Sequence, residues 1–312
     1  MGEEESIVQE PSSISEVESV ATSTVSLPEM APSIQPRIEQ APYSPADRCC
    51  GDTALMAQPP IYAIGRIEAR FSTPAAEKEF AQAVGRSETT SQTNQKAFHT
   101  ALTKRENRYL VRKLCWVLKI QGIDTYILVP RDPSDLELLV DAIRPAPSPM
   151  DMDVVIGHLG QIAPPETCNG LMVPIVTFDQ IYSFDWKTLI KSVPKPENVK
   201  AEQFEAVAEE VLQTILDNID NAGASDEDRA RNYLIMRYGQ IYAKCVEYSN
   251  NDFGLSAVDA HPSHLSGTRN IIDVVFSFTH RKTDVVEKQF VRVDVTEEYP
   301  FLVSKLSTYF DR

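Results

Sequence analysis

The chain lacks the short motifs that mark the common chemistries. No GxGxxG follows a strand-like run, no GxxxxGK[ST] occurs, and neither HExxH nor GxSxG is present. Dinucleotide binding, P-loop phosphate binding, zinc-protease chemistry and serine-esterase chemistry therefore lose their usual sequence support. No apolar run approaches the roughly 18 residues that cross a bilayer. Positive charge is also short: 30 Lys and Arg stand against 45 Asp and Glu, a net charge of −15. That balance argues against non-specific nucleic-acid binding and against attraction to anionic membranes. Cysteines are few and odd in number: Cys49, Cys50, Cys115, Cys168 and Cys245. A secreted disulfide scaffold of this size would carry more, behind a signal peptide. The start, MGEEESIVQE, is acidic where a secretory leader is basic, and no apolar stretch follows it. Gly2 and Ser6 loosely fit a myristoylation signal, but the acidic run between them speaks for an ordinary start. The expectation is a cytoplasmic protein in a reducing compartment.

What is present divides the 312 residues in two. Residues 1–60 hold ten acidic residues against Arg37 and Arg48, eight of the 21 prolines, many serines and no apolar periodicity. Such a segment cannot bury enough surface to offset the entropy of ordering it, and it reads as a disordered acidic tail. From Ile61 the pattern changes. In IYAIGRIEARF, Ile61, Ala63, Ile67, Ala69 and Phe71 alternate with Tyr62, Arg66, Glu68 and Arg70, a half-buried strand. Pro74 opens a helix on Phe80, Ala83 and Val84, residues 85–94 read as a polar loop, and a second helix is expected from Gln95 to about Leu110. LCWVLKI (114–120) and TYILV (125–129) form a hairpin pair around Gln121-Gly122-Ile123-Asp124. Asp132-Pro133-Ser134-Asp135 is a helix start, with Asp132 at the N-cap.

Strands follow near 154–157 and 172–178, the second demoted by Pro174 to an edge or a bulge. Two amphipathic helices come next, over about 199–219 and from the capping box at Ser225-x-x-Asp228 through Leu234, Tyr238, Ile241, Tyr242 and Cys245. Strands return at 271–278 and 285–295, and PFLVSKLSTYF reads as a short helix. The sum is one α+β domain over 61–312, a mostly antiparallel sheet with packed helices behind the tail.

Each candidate site has a plain structural rival. Cys115 and Cys245 lie in apolar surroundings and read as buried fillers. Cys168, in the loop PPETCNG, is different: with His158 it could form a Cys–His nucleophile or half a metal site, against the reading of a loop cysteine with no task. Cys49 and Cys50 are adjacent, not CxxC-spaced, and His261 and His264 flank a proline with no third ligand nearby. Cys49, Cys50, Cys168, His261 and His264 are thus weak metal candidates, beside the Cys168–His158 pair, and zinc is the cofactor they would suit; the expectation is no cofactor. Ser266-Gly267-Thr268-Arg269 reads as an anion nest or an ordinary turn. Arg66, Glu68, Arg70, Arg105, Glu106 and Arg108 read as solvated faces or ion-pair networks.

Four stretches together carry a resemblance. IYAIGRIEARF (61–71), ENRYLVRKLCWVLKIQGIDTYILVPRDPSDLELLVDAIRP (106–145), IAPPETCNGLMVPIVTFDQIYSFD (162–185) and LSGTRNIIDVVFSFTHRKTDVVEKQFVRVDVTEEYPFLVSKLS (265–307) resemble the C-terminal domain of PatG-type cyanobactin maturation proteases and its free-standing relatives. The resemblance covers nearly all of 61–312. In that family the protease and macrocyclase chemistry sits in a separate subtilisin-like domain with an Asp/His/Ser triad, and this chain has no GTSxA-like serine motif. The C-terminal domain has no agreed activity, so no catalytic residue carries over. What the resemblance implies is an accessory module beside ribosomally made, modified peptides. It would bind a precursor peptide or a partner maturation enzyme, by strand addition to a sheet edge for example, with a homodimer left open. The alternative is a peptide-modifying enzyme using Cys168 and His158.

Overall fold

The computed structural model describes residues 58–84, 94–148, 150–193 and 201–310. The acidic tail, the loop at 85–93 and the Cys49-Cys50 pair lie outside these. Within them, the first strand, β1 (Pro60–Phe71), sets the architecture by pairing twice. Its first half runs antiparallel to β4 (Met152–Ile162), with Ile64 opposite Val154, and its second half antiparallel to β2 (Leu114–Ile120), with Phe71 opposite Leu114. Where β1 leaves β4, the Ile67 amide would lose its acceptor. The buried Asp153 side chain takes its place, accepting from Ile67 N at 2.9 Å and from Ser183 Oγ at 2.7 Å. Burial raises the Asp153 carboxyl above the ordinary range, and the Arg144 guanidinium works against that rise.

β2 turns through Gln121-Gly122 into β3 (Ile123–Pro130), both turn residues at positive φ, as a two-residue hairpin with right-handed strand twist demands. β3 pairs parallel with β5 (Pro174–Phe184), and β5 pairs antiparallel with β4, which closes a five-stranded barrel in the order β1-β2-β3-β5-β4. Pro174 is thus the first residue of an interior strand, not a mark of an edge: at that position its missing N–H costs the ladder nothing. Ile61, Ala63, Ile67, Trp116, Leu118, Leu128, Val155, Val176 and Phe178 belong to the core cluster on one side of the barrel wall.

The same cluster takes in residues of four short helices, α1 (Pro74–Val84), α2 (Asn94–Leu102), α3 (Arg108–Val111) and α4 (Leu136–Ala142). The continuous helix expected over 95–110 is broken. Buried Asn107 folds back and donates from Nδ2 to the Ala101 carbonyl at 2.9 Å, ending α2 and leaving a 3-10 turn before α3. Asp132 caps as expected, accepting from Ser134 N, but the first turn it caps is 3-10.

A second sheet, β10-β8-β7-β6, lies across a helical layer from the barrel. The layer comprises α5 (Trp186–Ser192), α6 (Ala201–Asn218), α7 (Asp226–Arg237) and α8 (Gln240–Asn250). The single helix expected after Ser225 breaks at Tyr238, whose backbone leaves the helical region, so α7 and α8 are separate. β6 (Phe253–Pro262), β7 (Ile271–His280) and β8 (Val286–Asp294) form the antiparallel body. β9 (Phe301–Leu302) and β10 (Ser307–Thr308) stand where a short helix was expected, because residues 301–308 pair along β8. One large cluster joins Tyr62, Ile64, Val154 and Ile156 on the outer barrel wall to Leu212, Leu234, Tyr242, Val274, Phe276 and Val291. The first half of β1 is therefore buried on both faces, and Tyr62, expected on a polar face, is 1% exposed. Among the described residues no helix is long and apolar enough to cross a membrane.

Candidate functional site

Two features gather chemistry on this scaffold. The first begins with a strand irregularity. Along β4 and β5, Ile156 opposes Gln180 but Gly157 opposes Phe178, so Asp179 is an extra residue, a bulge. The bulge needs Gly157: a Cβ there would fall 2.3 Å from the Thr177 carbonyl oxygen and 2.6 Å from Phe178 Cα. Beside it on β4 stands His158. Its Nδ1 lies 3.5 Å from Asp179 Oδ2 and 3.9 Å from Glu298 Oε1.

Glu298 arrives from the turn after β8, and a buried arginine fixes that turn. Arg229, 1% exposed on α7, donates to the carbonyls of Val295 (2.8 Å), Glu297 and Glu298 (3.2 Å) and pairs with Asp226. From the loop after β3, Arg131 completes the group. Its Nε lies 2.7 Å from Asp179 Oδ1, and its Nη2 donates to His158 Nδ1 at 2.6 Å. Because the guanidinium only donates, Nδ1 accepts here and the ring proton belongs on Nε2. Asp179 Oδ2 and Glu298 Oε1 are shielded from water and accept no hydrogen bond. Burial, and the Asp179 carboxylate facing it, push the Glu298 carboxyl up to about 7. His158, Asp179 and Glu298 are the only set of three metal-ligand side chains that converges among the described residues, with all ligand atoms within 4.8 Å of one another.

The second feature is an open groove of about 620 Å³ between α2–α3 and α4. Leu102, Val111, Leu136 and Val140 line its floor, and Tyr109, Arg108 and Arg112 its rim. Tyr109 is 50% exposed. The segment 94–120 that builds one wall carries seven basic residues and one acidic, in a chain otherwise strongly acidic. Glu137, across the groove, already pairs with Arg108.

The residues singled out from the sequence fare differently. Cys168 is bonded to Cys115 in a disulfide, packed with Val117, Ile127, Ala163, Val173 and Ile175. This corrects two readings: Cys115 is buried but not a mere filler, and Cys168 has no free thiol to act as nucleophile or metal ligand while the bond stands. His158 meets Arg131, Asp179 and Glu298 instead. Cys245 is the buried filler expected, its thiol pushed up to about 12 by burial. His261 is the penultimate residue of β6 and His264 lies in the following turn; both are exposed, and no third ligand joins them among the described residues. Ser266 makes an ordinary turn, its hydroxyl bridging the backbone of Ile271. Arg70 forms a bidentate pair with Asp124 and joins Glu68 and Lys119 in an ion-pair network.

Sequence reasoning missed Arg131, Asp179 and Glu298. The one local signal was a charged residue inside the apolar strand PIVTFDQIYSF.

The comparisons with known proteins agree with this architecture. A family model described as PatG Domain matches residues 60–251, and one described as PatG C-terminal matches residues 198–309. A solved structure titled "PatG Domain of Unknown Function" superposes with a TM-score of 0.63 at 17% identity, covering 81% of this chain and 99% of that one. At that identity the likeness is one of fold. No curated protein matches the sequence.

Proposed function

We propose that the chain, which belongs to the PatG Domain family, is an accessory module of cyanobactin-like peptide maturation that binds an acidic stretch of peptide or partner protein in the groove between α2–α3 and α4. The groove carries the reading. An apolar floor with an aromatic and two guanidiniums at its rim offers an extended peptide both buried area and charge recognition. Arg112 makes no ion pair among the described residues, so its charge is available to an incoming carboxylate. The basic excess of segment 94–120 in an acidic protein draws acidic segments toward this wall, while Glu137 and Asp141 on the opposite wall confine their carboxylates to the Arg112 side.

Binding without chemistry suits the site better than the alternative built on Cys168 and His158, since the sulfur that reading needs is held in the disulfide. The test is fluorescence anisotropy with labelled acidic and basic peptides of equal length. Saturable binding of the acidic peptide should weaken with salt. Arg112→Glu and Tyr109→Ala should each weaken it at least about tenfold. Equal binding of both peptides, or binding untouched by these substitutions, would refute the reading.

A further inference from the structure

The barrel bulge offers something the groove does not. Three ligand atoms of different side chains, from β4, β5 and the turn after β8, lie within 4.8 Å of one another. A first-row metal ion with bonds of about 2.1 Å in tetrahedral geometry sets its ligand atoms roughly 3.4 Å apart. His158 Nδ1 lies 3.5 Å from Asp179 Oδ2 and 3.9 Å from Glu298 Oε1, close to that edge length before any adjustment. The two carboxylate oxygens are withdrawn from water, and no neighbouring N–H or O–H group donates to either; a proton on Glu298 shared with Asp179 is the alternative to a cation between them. Two desolvated acceptors with no donor between them are costly unless a cation or a proton lies there.

We propose that His158 Nδ1, Asp179 Oδ2 and Glu298 Oε1 bind a divalent first-row transition-metal ion, with the Arg131 guanidinium as the group that covers the ligands when the ion is absent. One imidazole with two carboxylates suits zinc, cobalt, manganese or iron better than magnesium or calcium, which favour all-oxygen sets. Arg131 must leave Nδ1 for the metal to take it. Its side chain is half-exposed on a loop, so it can swing into solvent. Arg229, which grips the backbone of Glu297 and Glu298, is the positioning residue for the third ligand. Three protein ligands leave coordination positions open, the arrangement that accepts water or a substrate oxygen.

The experiment strips the full-length protein with a chelator and titrates it with cobalt, then with zinc by calorimetry. One equivalent should bind, with weak visible bands and no thiolate charge-transfer absorption, which separates this site from any cysteine site. His158→Ala, Asp179→Asn and Glu298→Gln should each weaken binding by about a hundredfold or more, beyond the effect of losing an outer-shell partner. The double substitution of His261 and His264 by Ala should change nothing. Arg131→Gln should tighten binding, because it removes a competing cation, a result that no merely structural role produces. Circular dichroism of the near-isosteric Asp179→Asn and Glu298→Gln variants separates lost ligands from lost fold. Absence of an N/O-type cobalt spectrum would overturn the proposal. So would binding indifferent to both carboxylate substitutions, or weakened by Arg131→Gln.

Discussion

The barrel and the open sheet bury their hydrophobic residues by different routes. The barrel closes on itself, so none of its five strands has an unpaired edge. The second sheet is open, and β6 lies at its margin. Closure demands local devices: a bulge at Asp179, a glycine where β4 meets β5, and Asp153 standing in for a lost backbone acceptor. The open sheet has one bulge in β6 and otherwise runs in continuous register, with every residue of β7 from Ile271 to Phe278 buried. The groove and three of the four residues of the polar cluster lie on the barrel side; the fourth, Glu298, comes from the turn after β8. Closing a small sheet forces irregularities, and irregularities re-aim side chains. Among the described strands, those of the second sheet alone leave an edge for strand addition by a peptide.

Substitutions can break or sharpen this contrast, the largest effect first. The disulfide ties the barrel strand β2 to the loop before β5 across 53 residues, and chain entropy for such a loop gives about 4 kcal/mol as an upper value. Cys168→Ser should lower the urea midpoint accordingly. If it does not, the barrel is held by packing alone. Gly157→Ala should cost about 3 kcal/mol, since its Cβ meets backbone that cannot move aside. Gly254→Ala, on β6, meets nothing closer than Arg281 Nε at 3.8 Å and should change stability by less than about 0.5 kcal/mol. Equal effects in the two would erase the distinction between closed and open sheets. Asp153→Ala should cost about 2 kcal/mol by leaving the Ile67 amide buried without an acceptor. The smallest effect is expected at Cys245. With its thiol pushed up to about 12 and buried, it should resist an alkylating reagent in the native protein near pH 8 and react on unfolding, read by mass mapping of that peptide.

How much was legible depended on whether the governing contacts were local. The start of β1 and the cap at Ser225 follow from neighbouring residues and stand where the pattern placed them, and the hairpin after β2 is there too, though its turn is the two residues Gln121-Gly122 and not the four expected, so β3 begins at Ile123. β6 escaped notice because Ser256 is an extra residue between the Leu255 and Ala257 pairings, which shifts the alternation halfway along the strand. The helix over 95–110 was overextended because nothing in the sequence marks Asn107 as the side chain that ends α2. PFLVSKLSTYF has apolar spacing that suits a helix, but β8 offers it an unpaired edge.

The sequence by itself determined the α+β character, the starts of α1, α2 and α7, the largely antiparallel pairing and the kinship carried by four long stretches, because these rest on periodicity, caps and turns within a few residues. Only the tertiary structure decided which cysteines bond and which acids meet His158. Arg131, His158, Asp179 and Glu298 are scattered along the chain, and what unites them is barrel closure, the β5 bulge and the grip of Arg229. Side chains so far apart in sequence leave no spacing to read; their distances exist only once the backbone has closed.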